Sequence, residues 1–184
     1  IRSNIKKIKK INKILDLKKQ NKIIDHLDFH LTNDQLKTLN EINKDLSSSN
    51  KMFRLLQGDV GSGKTIVSLL AAFNSANSGF QVAVMAPTEI LARQHFTLAK
   101  KIFPKNLNVE LISGKSDYKD KKKILDNLSK HKIDVIFGTH AIFQKKVNYK
   151  MLGLIIIDEQ HKFGVNQRKM LSDKGGDNCD VLLM

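Results

Sequence analysis

Residues 58–65 read G-D-V-G-S-G-K-T, and this octet restricts the chain to very few folds. It satisfies the phosphate-loop pattern G-x-x-x-x-G-K-[ST], which works between a strand and a helix. Gly58, Gly61 and Gly63 let the backbone curl until successive N–H groups point at one anion, where a Cβ would block the approach. Asp59, Val60 and Ser62 complete the candidate nucleotide-binding loop. Lys64 carries a cation toward the β- and γ-phosphates, and the Thr65 hydroxyl suits Mg²⁺. The apolar run Met52-Phe53-Arg54-Leu55-Leu56 leads in like a buried strand. Helix formers fill the stretch from Ile66 to Ala76, so a helix N-terminus faces the phosphates.

The rest of the chain repeats that alternation. Apolar runs at 53–57, 81–86, 108–113, 133–138, 153–158 and 180–184 predict strands, and 64–78, 89–103, 116–131 and 165–172 predict helices. Strands separated by helices pair in parallel, giving an α/β doubly wound sheet with helices on both faces. Ligands in such sheets bind beyond the carboxyl ends of the strands. Four apolar runs deliver short polar motifs to that edge: the loop at 58, Pro87-Thr88, Gly138-Thr139-His140 and Asp158-Glu159. Upstream, Thr32 to Gln35 opens a helix running to about Leu46, and 47–50 is a polar linker. Ile5, Ile8, Ile11, Ile14 and Leu15 recur at three- and four-residue steps among lysines, which predicts an amphipathic basic helix over 3–20.

A length of 184 residues suits one domain with a substantial core. The net charge of +14 is concentrated at the start: residues 1–23 supply eight of the fourteen. Attraction to phosphate and an AT-rich codon bias toward Lys, Ile and Asn explain it equally well. The first helix is read as a connecting helix with a solvated basic face, with direct DNA contact as the alternative. The single Cys179 excludes an internal disulfide and suits a reducing cytosol. Six scattered histidines lack metal-ligand spacing, and no run has the ~18 apolar residues of a membrane span. The chain begins with Ile1 and stops within an apolar run, as a piece of a longer protein would.

Leu154 to Ile157 bring Asp158 and Glu159 to a strand end, the arrangement of a Walker B motif. Asp158 there can hold Mg²⁺ through water, and Glu159 can orient the water that attacks the γ-phosphate. Guanine-binding N-K-x-D does not follow the loop, and Leu171-Ser172-Asp173 does not continue as an ABC signature. ATP-driven machinery is left.

Q-G-D-V-G-S-G-K-T (57–65), M-A-P-T-E-I-L-A-R-Q-H (85–95), G-T-H-A-I-F-Q (138–144) and D-E-Q-H-K-F-G-V-N-Q-R (158–168) occur in the order of superfamily 2 helicase motifs I, Ia, Ib/c and II. From about Phe29 to Met184 the chain resembles that family, and its wording, with a DEQH box, is that of the branch that remodels branched DNA. The related transcription-repair coupling factors typically read G-D-V-G-F-G-K-T and D-E-E-H, so Ser62 and Gln160 favour the first branch. Lys162 departs from the family's usual Arg and lacks the guanidinium fork for bidentate contacts.

The resemblance implies a RecA-like P-loop NTPase domain over 29–184, the first of two motor domains, with 1–28 a helix linking it to an upstream wedge region. The strand at 180–184 should lie between those at 53–57 and 154–158. Phe29 to Gln35 resembles the Q motif, in which Gln35 reads adenine; Thr32-x-x-Gln35 is also a capping box. Thr88, Glu89 and Arg93 fall in motif Ia, which lies along a nucleic-acid strand, although Thr88 also suits a helix N-cap and Arg93 a solvated surface. Gly114 and Gly138-Thr139-His140 resemble loops offering backbone N–H groups to DNA phosphates. The implied catalytic residues are Lys64, Glu159, Gln160 and His161, the last two coupling the γ-phosphate to the second motor domain. The implied cofactors are ATP and Mg²⁺. The implied setting is a monomer in the bacterial cytoplasm acting on forks and Holliday junctions in recombination and repair, through the phosphate backbone and with no membrane. The second motor domain and its arginine finger would follow Met184, so this piece is expected to bind Mg-ATP weakly and hydrolyse it negligibly. Two alternatives remain: a translocase of the coupling-factor type, and a nucleotide-binding module that does not hydrolyse.

Overall fold

The structure, a computed structural model, describes residues 8–59, 61–114, 117–158, 174 and 176–184. Helices α1 (Leu17–Asp25) and α2 (Asn33–Ser47) lead into β1 (Phe53–Leu55), α3 (Lys64–Asn77), β2 (Gln81–Met85), α4 (Glu89–Ile102) and β3 (Val109–Ile112). There follow α5 (Tyr118–Ser129), β4 (Val135–Gly138), a 3₁₀ turn at His140–Phe143, β5 (Leu152–Ile157) and β6 (Asp180–Leu183). Each expected strand is present, but β1, read as buried, is an edge strand that exposes Phe53 and Leu55. The expected helix at 165–172 lies outside the described residues.

The strands form one parallel sheet in the order β1-β6-β5-β2-β4-β3. β6 therefore sits between β1 and β5, as expected. Strands β2, β4 and β5 are buried along their whole length, which is why their sequences are continuous apolar runs and not alternating ones. One face carries Val82, Val84, Leu154, Ile156 and Leu182 against α1 to α4. The other carries Ala83, Ile155, Ile157 and Val181 against α5 and the 3₁₀ turn. Helix α3 is buried from Ile66 to Ala76, so it is apolar nearly all round, as a helix enclosed on every side must be. The Asn74 Nδ2 amide within it donates to Gln20 on α1 and Asn43 on α2, at 2.6 and 2.7 Å. That network locks both preceding helices onto the helix that follows the phosphate loop.

The N-terminal expectation needs correction. Residues 3–7 of the expected helix lie outside the described residues; among the described ones helix begins at Leu17, with the Asp16 carboxylate accepting from Lys19 N–H. Residues 8–16 instead run without helical bonds and cross the sheet's amino end. Lys9 bridges to Asn50, Lys10 N–H donates to the Ser49 carbonyl at 2.8 Å, and Lys51 N–H donates to the Ile8 carbonyl at 2.8 Å. The reason is Asp180, at the start of β6. Its Oδ2 accepts from Lys10 Nζ at 2.5 Å and Lys13 Nζ at 2.7 Å, with all three side chains sealed from solvent. Its Oδ1 accepts from Met52 N–H at 2.6 Å. Lys10 also donates to the Asp45 and Leu46 carbonyls, at the negative end of α2. Lys13 lies 4.8 Å over the Phe80 ring. Burial pulls the Lys10 ammonium below its usual pKa, with Asp180 opposing. Lys10 and Lys13, expected on a solvated face, point inward, and Ile8, Ile11 and Ile14 point outward, Ile14 being 87% exposed.

Candidate nucleotide site

Parallel strands bring all six carboxyl ends to one edge. Leu56 N–H, just past β1, donates to the Leu183 carbonyl of β6, and Met184 N–H donates to the Ile157 carbonyl of β5, at 2.7 and 2.9 Å. The loop that follows β1 and Asp158, which follows β5, therefore emerge one strand apart, on the order of 10 Å between strand axes.

Within the loop, Gly61 and Gly63 adopt φ of 82° and 79°, a backbone region that a side chain disfavours. Gly63 is the N-cap of α3 and offers no capping side chain, so the first-turn N–H groups remain directed at the loop's interior. A helix N-terminus so arranged suits an anion. Lys64 Nζ donates to the Gly58 carbonyl at 2.5 Å and to the Asp59 carbonyl at 2.9 Å, so the ammonium closes the loop across its own mouth. Half-buried Thr65 lies in the first turn of α3 and accepts from Ser68 Oγ through its carbonyl. Val60, Glu159, Gln160, His161 and Lys162 lie outside the described residues.

Gln35 shows why its two sequence readings are compatible. The capping box is formed: Thr32 N–H donates to Gln35 Oε1 at 2.9 Å and Gln35 N–H to Thr32 Oγ1 at 3.2 Å. The same amide's Nε2 donates to the Ser62 carbonyl at 2.8 Å. Gln35 thus braces the loop from the far side, and a Cβ on Gly63 would strike its amide. One Nε2 hydrogen remains for a further acceptor.

Asp158 is held twice. Its N–H donates to the Met85 carbonyl at 2.9 Å, and its Oδ2 accepts from His95 Nε2 at 2.7 Å. His95 stood in a quoted motif without an assigned role. The usable signal was its place with Ala92 and Ala99 on the buried stripe of α4, where a polar side chain needs a partner. Among the described residues no group of three or more His, Cys, Asp or Glu side chains could cage a metal. Thr65 and Asp158 nevertheless suit Mg²⁺, which keeps its waters and takes hydroxyl, carboxylate and substrate phosphate oxygens.

The remaining candidates gather at the ends of β2, β4 and β3, the other half of the edge. Thr88 caps α4, its Oγ1 accepting from Leu91 N–H at 3.3 Å. Arg93 is exposed and lines an open groove of about 610 Å³ with Ile90, Gln94, Thr97 and Lys101. Gly114 N–H is taken by the Glu89 carboxylate, which also accepts from Ser113 Oγ at 3.1 Å. Gly138 is buried, and a Cβ there would meet Ile142 Cγ2 at 2.5 Å, so packing alone demands glycine. Thr139 is half-buried and His140 exposed. Away from the site, burial pushes the Cys179 thiol up to about 12. No helix among the described residues is long and apolar enough to cross a membrane.

Comparisons with known proteins bear on the fold and the family. The RecG helicase of Streptococcus pneumoniae is 52% identical over 158 residues, 86% of this chain and 23% of that protein. The RecG of Thermotoga maritima is 47% identical over 175 residues, 95% of this chain and 22% of that protein. The chain thus spans about a quarter of the length of these curated relatives. Among solved structures, RecG bound to a three-way DNA junction superposes with a TM-score of 0.84 at 44% identity, covering 96% of this chain and 24% of that one. A hypothetical ATP-dependent RNA helicase from Sulfolobus tokodaii shares the fold at 20% identity, TM-score 0.69, covering 90% of this chain and 49% of that one. The DEAD/DEAH box helicase profile matches residues 32–174, and with the phosphate loop and Asp158 set at one sheet edge, the chain belongs to the DEAD/DEAH box helicase family.

Proposed function

We propose that this chain is the ATP- and Mg²⁺-binding half of a DNA motor which, in the complete protein, remodels forks and Holliday junctions as an ATP-dependent helicase or translocase. The observation that carries the reading is the placing of the 58–65 loop and Asp158 on either side of β6 at one edge, in a chain this similar to RecG. The triphosphate lies against the first-turn N–H groups of α3, and Lys64 exchanges the Gly58 and Asp59 carbonyls for phosphate oxygens. Thr65 and Asp158 hold Mg²⁺, which when bound neutralises charge on the β- and γ-oxygens. Glu159 orients the attacking water, Gln160 and His161 report the γ-phosphate to the second motor domain, and Gln35 turns its spare amide hydrogen to the adenine.

DNA runs along the β2–β4–β3 half of the edge, its phosphates met by Thr88, Arg93, Thr139, His140 and the backbone at Gly114 and Gly138. At Gly114 a phosphate must displace the Glu89 carboxylate. Such contacts are independent of sequence and weaken steeply with salt. The protein works as a monomer in the bacterial cytoplasm, and its turnover needs the second motor domain. The test is a titration of a fluorescent ATP analogue in Mg²⁺. Lys64→Ala should weaken binding ~10- to 100-fold, the value of a charge-assisted bond of about 1.5–3 kcal/mol. Equal affinity overturns the proposal, and so does robust DNA-stimulated hydrolysis by this chain alone.

A further inference from the structure

We infer that His95 is a positioning residue for the cation site: its bond to Asp158 sets the carboxylate's orientation and ties it to the helix that faces the proposed DNA path. The inference rests on the reading of Asp158 as the Mg²⁺ ligand. A carboxylate has no proton to give, so the imidazole Nε2 carries the hydrogen and donates across the 2.7 Å gap. His95 is buried, at 7% exposure, and Asp158 is largely so, which shields the bond from competing water. Oδ2 is thereby occupied, leaving Oδ1 for the cation's water shell.

The surrounding chain makes the arrangement stiff. Ala92 and Ala99, both buried, flank His95 on α4 and let the helix lie close against the sheet. Met85, whose carbonyl holds Asp158 N–H, stands only three residues before Thr88, the N-cap of α4. The backbone bond and the side-chain bond therefore both run from Asp158 to the β2–α4 unit. On the outer face of the same helix Arg93 meets solvent, while His95 faces inward. One rigid helix thus carries a proposed phosphate contact on one side and the orienting donor of the cation ligand on the other. A displacement of α4 on DNA binding reaches the carboxylate without any intervening loop.

The experiment measures affinity of a fluorescent ATP analogue for the 184-residue chain across a Mg²⁺ titration, with metal-free binding as the reference. His95→Leu should raise the Mg²⁺ concentration for half-maximal effect about tenfold, within the range known for partners of metal ligands, and leave metal-free affinity unchanged. His95→Gln, whose amide can still donate, should recover all but about threefold of that loss. Should His95→Leu not fold, His95→Asn, too short to span the gap, replaces it with the same expected shift. An unchanged Mg²⁺ dependence, an equal loss with and without metal, or no rescue by glutamine overturns the proposal. Asp158→Asn separates the two levels. If it too leaves the Mg²⁺ dependence intact, the reading of Asp158 as a cation ligand fails, and the role of His95 falls with it.

Discussion

Replacing Asp180 with asparagine removes the one anion that two buried ammonium groups share. The carboxylate accepts three bonds: from Lys10 Nζ at 2.5 Å, Lys13 Nζ at 2.7 Å and Met52 N–H at 2.6 Å. At roughly 1.5–3 kcal/mol for each charge-assisted bond, the gross loss is about 5–9 kcal/mol. Part is retained: the asparagine carbonyl can still serve Met52, Lys10 keeps the Asp45 and Leu46 carbonyls, and Lys13 keeps the Phe80 ring. The net cost should fall near the ~3–5 kcal/mol typical of breaking a buried pair from one side. That is a large share of the ~5–15 kcal/mol by which a domain is stable. Urea unfolding followed by circular dichroism reads it as a midpoint lowered by about 2 M, for a slope of about 2 kcal/mol/M. If the cost is that of uncompensated charge, Lys10→Met and Lys13→Met added to Asp180→Asn should recover most of the loss. A loss below about 1 kcal/mol in the single variant, or no recovery in the triple, refutes the account of why residues 8–16 lie across the sheet.

Two further outcomes follow from the geometry. Gly63→Ala forces a side chain into a left-handed N-cap and against the Gln35 amide, and should cost at least ~1–2 kcal/mol in the same urea assay while weakening ATP-analogue binding; full stability and affinity would refute the bracing role given to Gln35. Cys179 has its pKa raised by burial from 9.0 to about 12, so its contribution is complete below pH 9 and is lost as pH rises toward 12. Between pH 9 and about 10.5, wild type should lose about 2 kcal/mol more than Cys179→Ala; parallel pH curves would contradict it.

The strand and helix pattern was legible because a parallel sheet covered on both faces is written as unbroken apolar runs, with loops between them carrying glycines and polar motifs. The loop at 58–65 was legible for a related reason, since positive φ at Gly61 and Gly63 requires residues that the sequence displays openly. Residues 8–16 misled because isoleucines three and four apart satisfy helical spacing whether or not a helix forms. What overrode the spacing was Asp180, 170 residues from Lys10, and no local window contains both. His95 and Glu89 were visible but mute: a histidine and a glutamate within a motif acquire a meaning only when Asp158 and Gly114 are brought to them.

The sequence by itself determined which backbone segments could curl around an anion, which could be strands buried on both faces, and which oxygens were of the kind Mg²⁺ accepts. These are properties of neighbouring residues and need no knowledge of distant ones. The tertiary structure alone decided that Lys10 and Lys13 turn inward, that Gln35 braces the phosphate loop and that His95 addresses Asp158. Each depends on a pair far apart in the chain, made stable only because burial removes the water that would otherwise satisfy both partners separately.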